Sequence, residues 1–175
     1  MTERIKAAIR EVPDFPKKGI GFKDITTLIL DGELFRYTID KLYEHFGGLG
    51  ATKVVCVESR GFIFGAALAY RMGAGVIPVR KPGKLPSQTH RVTYTLEYGS
   101  DCLEMHTDAI KPGDKVIIVD DLLATGGTIS AACDLVHNLG GDVVGVGFVV
   151  ELSFLNGRSK IPVSNIMSLV KYDSE

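Results

Sequence analysis

The sequence predicts an α/β protein with a doubly wound, mostly parallel sheet. Three observations predict this class. Short apolar runs rich in β-branched residues have the composition of buried parallel strands, at residues 53–57, 75–79, 116–119 and 143–150. Segments with apolar residues at helical spacing lie between several of these runs, which is the βαβ pattern. No internal repeat or low-complexity linker divides the chain, so residues 1–175 are predicted to form a single domain.

The composition limits the classes of function. The chain has 20 basic and 21 acidic residues and a net charge of -1, which argues against nucleic-acid binding because such domains are usually strongly basic. Its start lacks the apolar region of a signal peptide, and no run reaches the ~20 apolar residues that span a membrane. Cys56, Cys102 and Cys133 are odd in number and outside any CxxC pattern, which favours a reducing compartment. We therefore expect a cytoplasmic protein.

The first part of the chain, over about residues 1–30, is predicted to form a hood. Apolar residues recur at helical spacing over residues 2–12, which predicts a short amphipathic helix that ends at a proline. Residues 13–26 contain two prolines, two glycines and two phenylalanines without regular periodicity, which indicates an irregular loop. Composition alone favours Phe15 and Phe22 as core residues, and stacking on a ligand is the alternative.

Basic residues directly follow two of the predicted strands. Arg60 lies in the turn after residues 53–57, and a loop with three cations follows residues 75–79, namely Arg80, Lys81 and Lys84. A solvated surface loop is the ordinary interpretation of such cations. The carboxyl ends of parallel strands, however, meet at one edge of a sheet, where ligands of α/β proteins bind. An anion site at this edge is the functional interpretation.

A β-hairpin flap is predicted over about residues 82–108. Residues 91–98 and 102–106 have nearly alternating patterns on either side of a Gly-Ser-Asp turn. A hairpin with this much polarity is a candidate lid. After it, residues 166–170 are expected to close the sheet as an edge strand.

The most informative stretch is VIIVDDLLATGGT, at residues 116–128. A buried strand is expected to end at Asp120 and Asp121, and a turn with glycines and threonines then leads into a helix that a threonine hydroxyl can cap. A helix N-terminus with free N–H groups can hold a phosphate, although turn chemistry alone explains such a segment equally well. Two carboxylates beside a phosphate favour a ligand with vicinal hydroxyls, such as a ribose. Neither GxxxxGK[ST] nor GxGxxG occurs in the sequence.

These thirteen residues closely resemble the phosphoribosyl pyrophosphate (PRPP) motif of the type I phosphoribosyltransferases, in the form typical of the adenine-specific members. Three other segments are similar to that family: PDFPKKGIGFKDIT resembles its base-binding hood, SRGF and VRKPGKLP its pyrophosphate-binding turns, and LEYG its lid. The resemblance covers nearly the whole chain. It implies the type I phosphoribosyltransferase fold and the reaction of adenine with PRPP to give AMP and pyrophosphate.

The resemblance also implies roles for individual residues. It places PRPP on Arg60, Arg80, Lys81, Lys84, Asp120, Asp121, Ala124, Thr125, Gly126, Gly127 and Thr128. The base is expected to stack on Phe22 and to bind the backbone of Gly21 and Lys23, and Glu97 of LEYG is the implied lid glutamate that assists proton transfer. Mg²⁺ is expected as cofactor, held mainly by PRPP oxygens and water rather than by protein side chains. Family members are dimers, so a homodimer is expected.

Two residues of the hood depart from the commonest family pattern. Gly21 stands where a larger apolar residue is usual, and Lys23 stands where arginine is usual. Backbone contacts survive both changes, although the packing of the hood is expected to loosen. Two other functions are alternatives: a phosphoribosyltransferase for xanthine, hypoxanthine or guanine, and a PRPP-sensing regulator without enzymatic activity. The adenine-type hood argues against the first, and the absence of a basic face argues against the second.

Overall fold

The computed structural model describes residues 2–95 and 99–174. In chain order the elements are α1 (Thr2–Ala8), β1 (Arg10–Val12), β2 (Phe22–Asp24), α2 (Thr26–Leu30), α3 (Gly32–Phe46), β3 (Lys53–Val57), α4 (Gly61–Met72), β4 (Gly75–Val79), β5 (Thr89–Thr95), β6 (Ser100–His106), β7 (Lys115–Leu123), α5 (Gly127–Asn138), β8 (Asp142–Leu152) and β9 (Ile166–Tyr172). Two 3-10 turns, Ser153–Leu155 and Gly157–Lys160, join β8 to β9. In the part of the chain described, no helix combines the length and the apolarity needed to cross a membrane.

The central sheet has five parallel strands in the order β4-β3-β7-β8-β9. The chain runs outward from β3 to β4 and then returns to the other side of β3 for β7, so the strand order reverses between β3 and β7. In sheets of this kind, the crevice at the carboxyl ends of such a strand pair is where ligands bind. The predicted doubly wound sheet is therefore confirmed, and β9 is its edge strand.

Two apolar cores cover the two faces of the sheet. One packs α1, α2, α3 and α4 against the sheet through large buried side chains such as Phe46 and Phe64. The other packs α5 and the β5-β6 hairpin against the opposite face, with Phe148 and Met105 fully buried. Asp31 is the N-cap of helix α3, and its carboxylate accepts hydrogen bonds from the N–H groups of Glu33 and Leu34.

Three local predictions were wrong. The predicted helix over residues 2–12 ends at Ala8 because the Arg10 N–H donates to the Thr27 hydroxyl instead of to a helix carbonyl, and the chain continues as strand β1, which pairs with β2. Strand β7 does not end at the acidic pair, since Asp120 pairs with Phe148 of β8 and the ladder continues to Leu123. The residue that caps α5 is Gly126, which has no hydroxyl. Helix α2 was not predicted.

Candidate active site

Arg60 lies close to Asp120 and Asp121, because β3 and β7 are neighbours in the sheet. Arg60 is the N-cap of helix α4, and its Nε lies 2.9 Å from Oδ2 of the buried Asp121 on β7. Oδ2 has no partner with hydrogen-bond geometry, so this oxygen keeps capacity to accept a hydrogen bond. The helix approaches β7 closely here, because a Cβ at Gly61 would lie 2.9 Å from Asp120 Oδ1. The predicted cation and the predicted carboxylates therefore form one cluster.

Both carboxyl groups of this cluster hold their protons more tightly than ordinary aspartates. Burial raises the pKa of Asp120, and the neighbouring charge of Asp121 raises it further. Burial also raises the pKa of Asp121, although the Arg60 guanidinium opposes that shift. Two acids with raised pKa values in a crevice are typical of functional sites rather than of solvated surface.

The predicted phosphate loop, residues 124–128, is held in place by backbone contacts. Gly126 has a φ of +82°, and a Cβ there would lie 2.2 Å from the Gly157 carbonyl oxygen. A Cβ at Gly157 would in turn lie 2.2 Å from the Ala124 carbonyl oxygen. No larger side chain fits at either position, so the loop is locked against the turn at Gly157 and faces a small cleft at the N-terminus of α5.

The cationic loop, residues 80–84, is held by contacts with one acidic residue, Glu58, which was not predicted from the sequence. Glu58 accepts hydrogen bonds from the Lys81 N–H at 2.7 Å and from Lys84 Nζ at 2.5 Å, and it lies 3.3 Å from Arg80 Nε. Burial would raise the pKa of Glu58, but these donors outweigh burial and hold the pKa below its usual value. Because Glu58 lies two residues before Arg60, the loop is fixed beside the Arg60 cluster.

The flap, formed by β5 and β6, contacts both the cationic loop and the phosphate loop. The Tyr94 hydroxyl lies 3.3 Å from Thr128 Oγ1 and 3.3 Å from Asp101 Oδ2. Asp101 also accepts from Lys81 Nζ. Tyr94 and Asp101 were not predicted as site residues, because Tyr94 does not stand out in an alternating strand and Asp101 is an ordinary residue of the predicted turn. The predicted catalytic residue Glu97 lies outside the described residues.

The hood forms an apolar pocket next to the phosphate loop. A cavity of about 330 Å³ is lined by the predicted Gly21, Phe22 and Lys23 and by Leu122, Ala124, Leu152, Phe154 and Leu155. The Phe22 ring lies 5.0 Å from the Arg60 guanidinium carbon, so the hood meets the Arg60 cluster directly. Phe15, predicted as a core residue from composition, is instead 51% exposed and packs edge-on against Phe22 at 5.1 Å.

The pocket has the size and chemistry to hold a flat, largely apolar ring beside an anion site. Its unpredicted walls come from the end of β8 and the turn that follows, residues 152–155, which carry no polar motif that the sequence could reveal. Among the described residues, no group of three or more His, Cys, Asp or Glu side chains is placed to hold a metal ion.

Comparison with known proteins agrees with this geometry. The family model of the phosphoribosyl transferase domain matches residues 33–170, so the chain belongs to the phosphoribosyltransferase family. An adenine phosphoribosyltransferase from Geotalea daltonii is 59% identical over 170 residues, which are 97% of this chain and 99% of that protein. The adenine phosphoribosyltransferase from Trichlorobacter lovleyi is 57% identical over 170 residues, again 97% of this chain and 99% of that protein.

Solved structures lead to the same subgroup. The adenine phosphoribosyltransferase of Thermoanaerobacter pseudethanolicus has a TM-score of 0.95 at 53% identity, covering 98% of this chain and 100% of that one. The Saccharomyces cerevisiae enzyme, crystallised with adenine and an iminoaltritol bisphosphate, has a TM-score of 0.91 at 42% identity, covering 97% and 98%. Within the family the chain therefore belongs to the adenine phosphoribosyltransferases, which convert adenine and PRPP into AMP and pyrophosphate.

Proposed function

We propose that this chain binds PRPP across the β3-β7 crevice and adenine under the hood, and that it transfers the phosphoribosyl group between them. The observation that carries the proposal is the position of Arg60, which contacts Asp121 on one side and lies over the Phe22 ring on the other. One side chain thus joins the anion site to the base pocket. The 5-phosphate is assigned to the phosphate loop, residues 124–128, and the ribose hydroxyls to Asp120 and Asp121.

The pyrophosphate of PRPP is assigned to Arg60 and to the cations of residues 80–84. In this structure Lys81 and Lys84 are paired with Asp101 and Glu58. Pyrophosphate would take over these cations, because it offers several charged oxygens in place of one carboxylate. As it leaves the anomeric carbon, the sugar develops oxocarbenium-like charge, by analogy with glycoside cleavage. The acidic pair stabilises that charge, and the cations stabilise the leaving group.

The flap is assigned the exclusion of water. An oxocarbenium-like sugar open to solvent would react with water instead of adenine, so the flap has to cover it during transfer. Glu97 on this flap is proposed to assist proton transfer at the imidazole side of adenine, as the family resemblance implies. We expect Glu97→Gln to lower kcat by about 100-fold, as loss of a general acid or base does, while PRPP affinity stays within twofold. Measured turnover and PRPP binding that both stay unchanged would exclude this role.

Three further features are part of the proposal. Mg²⁺ is expected to bind mainly through pyrophosphate and ribose oxygens and water, which are the hard ligands it prefers, and to neutralise charge on the leaving group. A homodimer is expected because family members are dimers. The cytoplasm is the expected location, since all three cysteines are free and reducing conditions preserve free thiols.

Adenine selectivity is assigned to the hood backbone. The N–H and C=O groups of Gly21 and Lys23 can match a 6-amino purine, whereas a 6-oxo purine would leave buried groups unpaired, a mismatch that discriminates by about four to five orders of magnitude. Initial rates with PRPP, Mg²⁺ and each of adenine, hypoxanthine, guanine and xanthine test this assignment. We expect turnover with adenine alone. Comparable turnover with a 6-oxo purine would overturn the hood assignment and leave the PRPP site intact.

A further inference from the structure

The lysine of the hood is buried although its partner is exposed. Lys23 is 5% exposed, and its Nζ lies 2.9 Å from Glu11 Oε1, whose side chain is 57% exposed. The two residues are directly opposite each other in the β1-β2 ladder. Nζ also lies 4.5 Å from the centre of the Tyr172 ring on the edge strand β9. The Lys23 side chain therefore ties the hood to the sheet, with one carboxylate balancing its buried charge.

Gly21 provides the space for this ion pair. A Cβ at Gly21 would lie 3.1 Å from Glu11 Oε1, the oxygen that contacts Lys23. The backbone of Gly21 is not in the left-handed region, so no conformational requirement explains the glycine. A side chain at position 21 would instead press on the Glu11 carboxylate, which contacts Lys23. The hood departs from the commonest family pattern at positions 21 and 23, and both positions lie next to Glu11.

We infer that Glu11 and Gly21 are positioning residues that, through Lys23, hold strand β2 where its backbone contacts the base. Successive side chains of a strand point to opposite faces, so Lys23 is held from behind while Phe22 points the other way. Gly21 and Lys23 line the proposed base pocket, and the contacts of the Lys23 side chain hold this segment against β1 and β9. This inference rests on the proposed adenine site, and neither Glu11 nor Tyr172 lines the pocket.

The test measures KM for adenine, KM for PRPP and kcat of the full chain with Mg²⁺. Glu11→Gln keeps the size of the side chain and removes its charge, and Gly21→Ala displaces the carboxylate. Each is expected to raise KM for adenine about fivefold, the upper range for a partly exposed ion pair, with KM for PRPP and kcat within twofold. Because both changes act on the same contact, the double variant should be no worse than the more affected single variant. Glu11→Asp, which keeps the charge, should recover part of the loss.

Glu44→Gln is the matched control, because Glu44 is an exposed carboxylate that pairs with a lysine, Lys41, away from the hood. It should change none of the three constants. Additive effects of Glu11→Gln and Gly21→Ala, or an equal rise in KM for PRPP, would overturn the inference. A wild-type chain without adenine turnover would instead contradict the proposed function. If Gly21→Ala does not fold, as thermal unfolding would show, Glu11→Gln and Glu11→Asp decide the question.

Discussion

The phosphate loop follows a nine-residue strand that pairs with β8 along most of its length, whereas the hood is carried by two strands of three residues outside the main sheet. The loop is fixed by backbone packing against Gly157, and the hood by side-chain contacts such as the Glu11–Lys23 ion pair. The ligand common to all phosphoribosyltransferases is thus assigned to the rigid half of the site. The base, which distinguishes the members, is assigned to the half that side chains can adjust.

The largest effect on stability and PRPP binding is expected when a methyl group is added to the phosphate loop at Gly126. Gly126→Ala places a Cβ 2.2 Å from a backbone oxygen that cannot move alone, so we expect a loss of about 3 kcal/mol in stability. PRPP affinity should fall by more than about 100-fold, since misplacement by an ångström has that cost. Chemical denaturation and PRPP titration measure the two effects. Gly113→Ala is the control: its φ of +87° is similar but nothing lies within 4 Å, so strain alone costs about 1 kcal/mol.

The hood should show a different pattern, with adenine binding affected and stability nearly unchanged. Phe22→Ala removes the proposed stacking surface, and base stacking on an aromatic ring is worth about 1–3 kcal/mol. We expect KM for adenine to rise about 10- to 100-fold in steady-state assays while KM for PRPP stays within threefold. An equal rise in both constants would show that the two halves are not separable, and the comparison would fail.

The acidic pair is expected to lower the stability of the folded chain while it contributes to PRPP binding. The folded-state pKa of Asp120 is raised above its ordinary value of 3.8, so the folded chain binds protons more tightly than the unfolded chain and stability falls as pH rises through the raised pKa. Asp120→Asn removes this cost while keeping an oxygen for the Asp121 N–H. We expect a higher Tm than wild type at pH 7.5, a difference that closes as pH falls toward 4, and weaker PRPP binding. A lower Tm at pH 7.5 would contradict the assignment.

The smallest effect is expected where the flap meets the cationic loop. Lys81 holds the pKa of Asp101 below its usual value, so the carboxylate is charged and competes with pyrophosphate for this lysine. Asp101→Asn should therefore lower KM for PRPP about twofold, in keeping with an exposed ion pair. Tyr94→Phe, which removes the hydroxyl contacts to Thr128 and Asp101 but leaves Lys81 paired with Asp101, should not produce this gain. A rise in KM for Asp101→Asn would mean that Asp101 supports the binding conformation.

The two halves also differ in what the sequence could predict. The order of strand, acidic pair and glycine turn over residues 116–128 was predictable because these features are contiguous, but the end of β7 and the residue that caps α5 were not. The ion pairs of the site could not be predicted, because each joins residues that are distant along the chain. These pairs are Glu58–Lys84 and Glu11–Lys23. The helix predicted through residue 12 failed for the same reason: Arg10 donates its N–H to Thr27 and residues 10–12 pair with β2, so tertiary contacts override helical periodicity. The residues at and after the end of β8 that line the hood cavity carried no signal, since apolar residues there also fit a core.

The close approach of α4 to β3 has a consequence for chemical labelling. A Cβ at Gly65 would lie 2.2 Å from Cys56 Sγ, so the helix seals that thiol beneath it. Burial raises the pKa of Cys56 and of Cys133 to about 12, and thiols that stay protonated do not react with alkylating reagents. Cys102, half-buried on β6, is the remaining cysteine. A maleimide fluorophore should therefore attach to the wild-type chain at Cys102 and report flap movement without any engineered site.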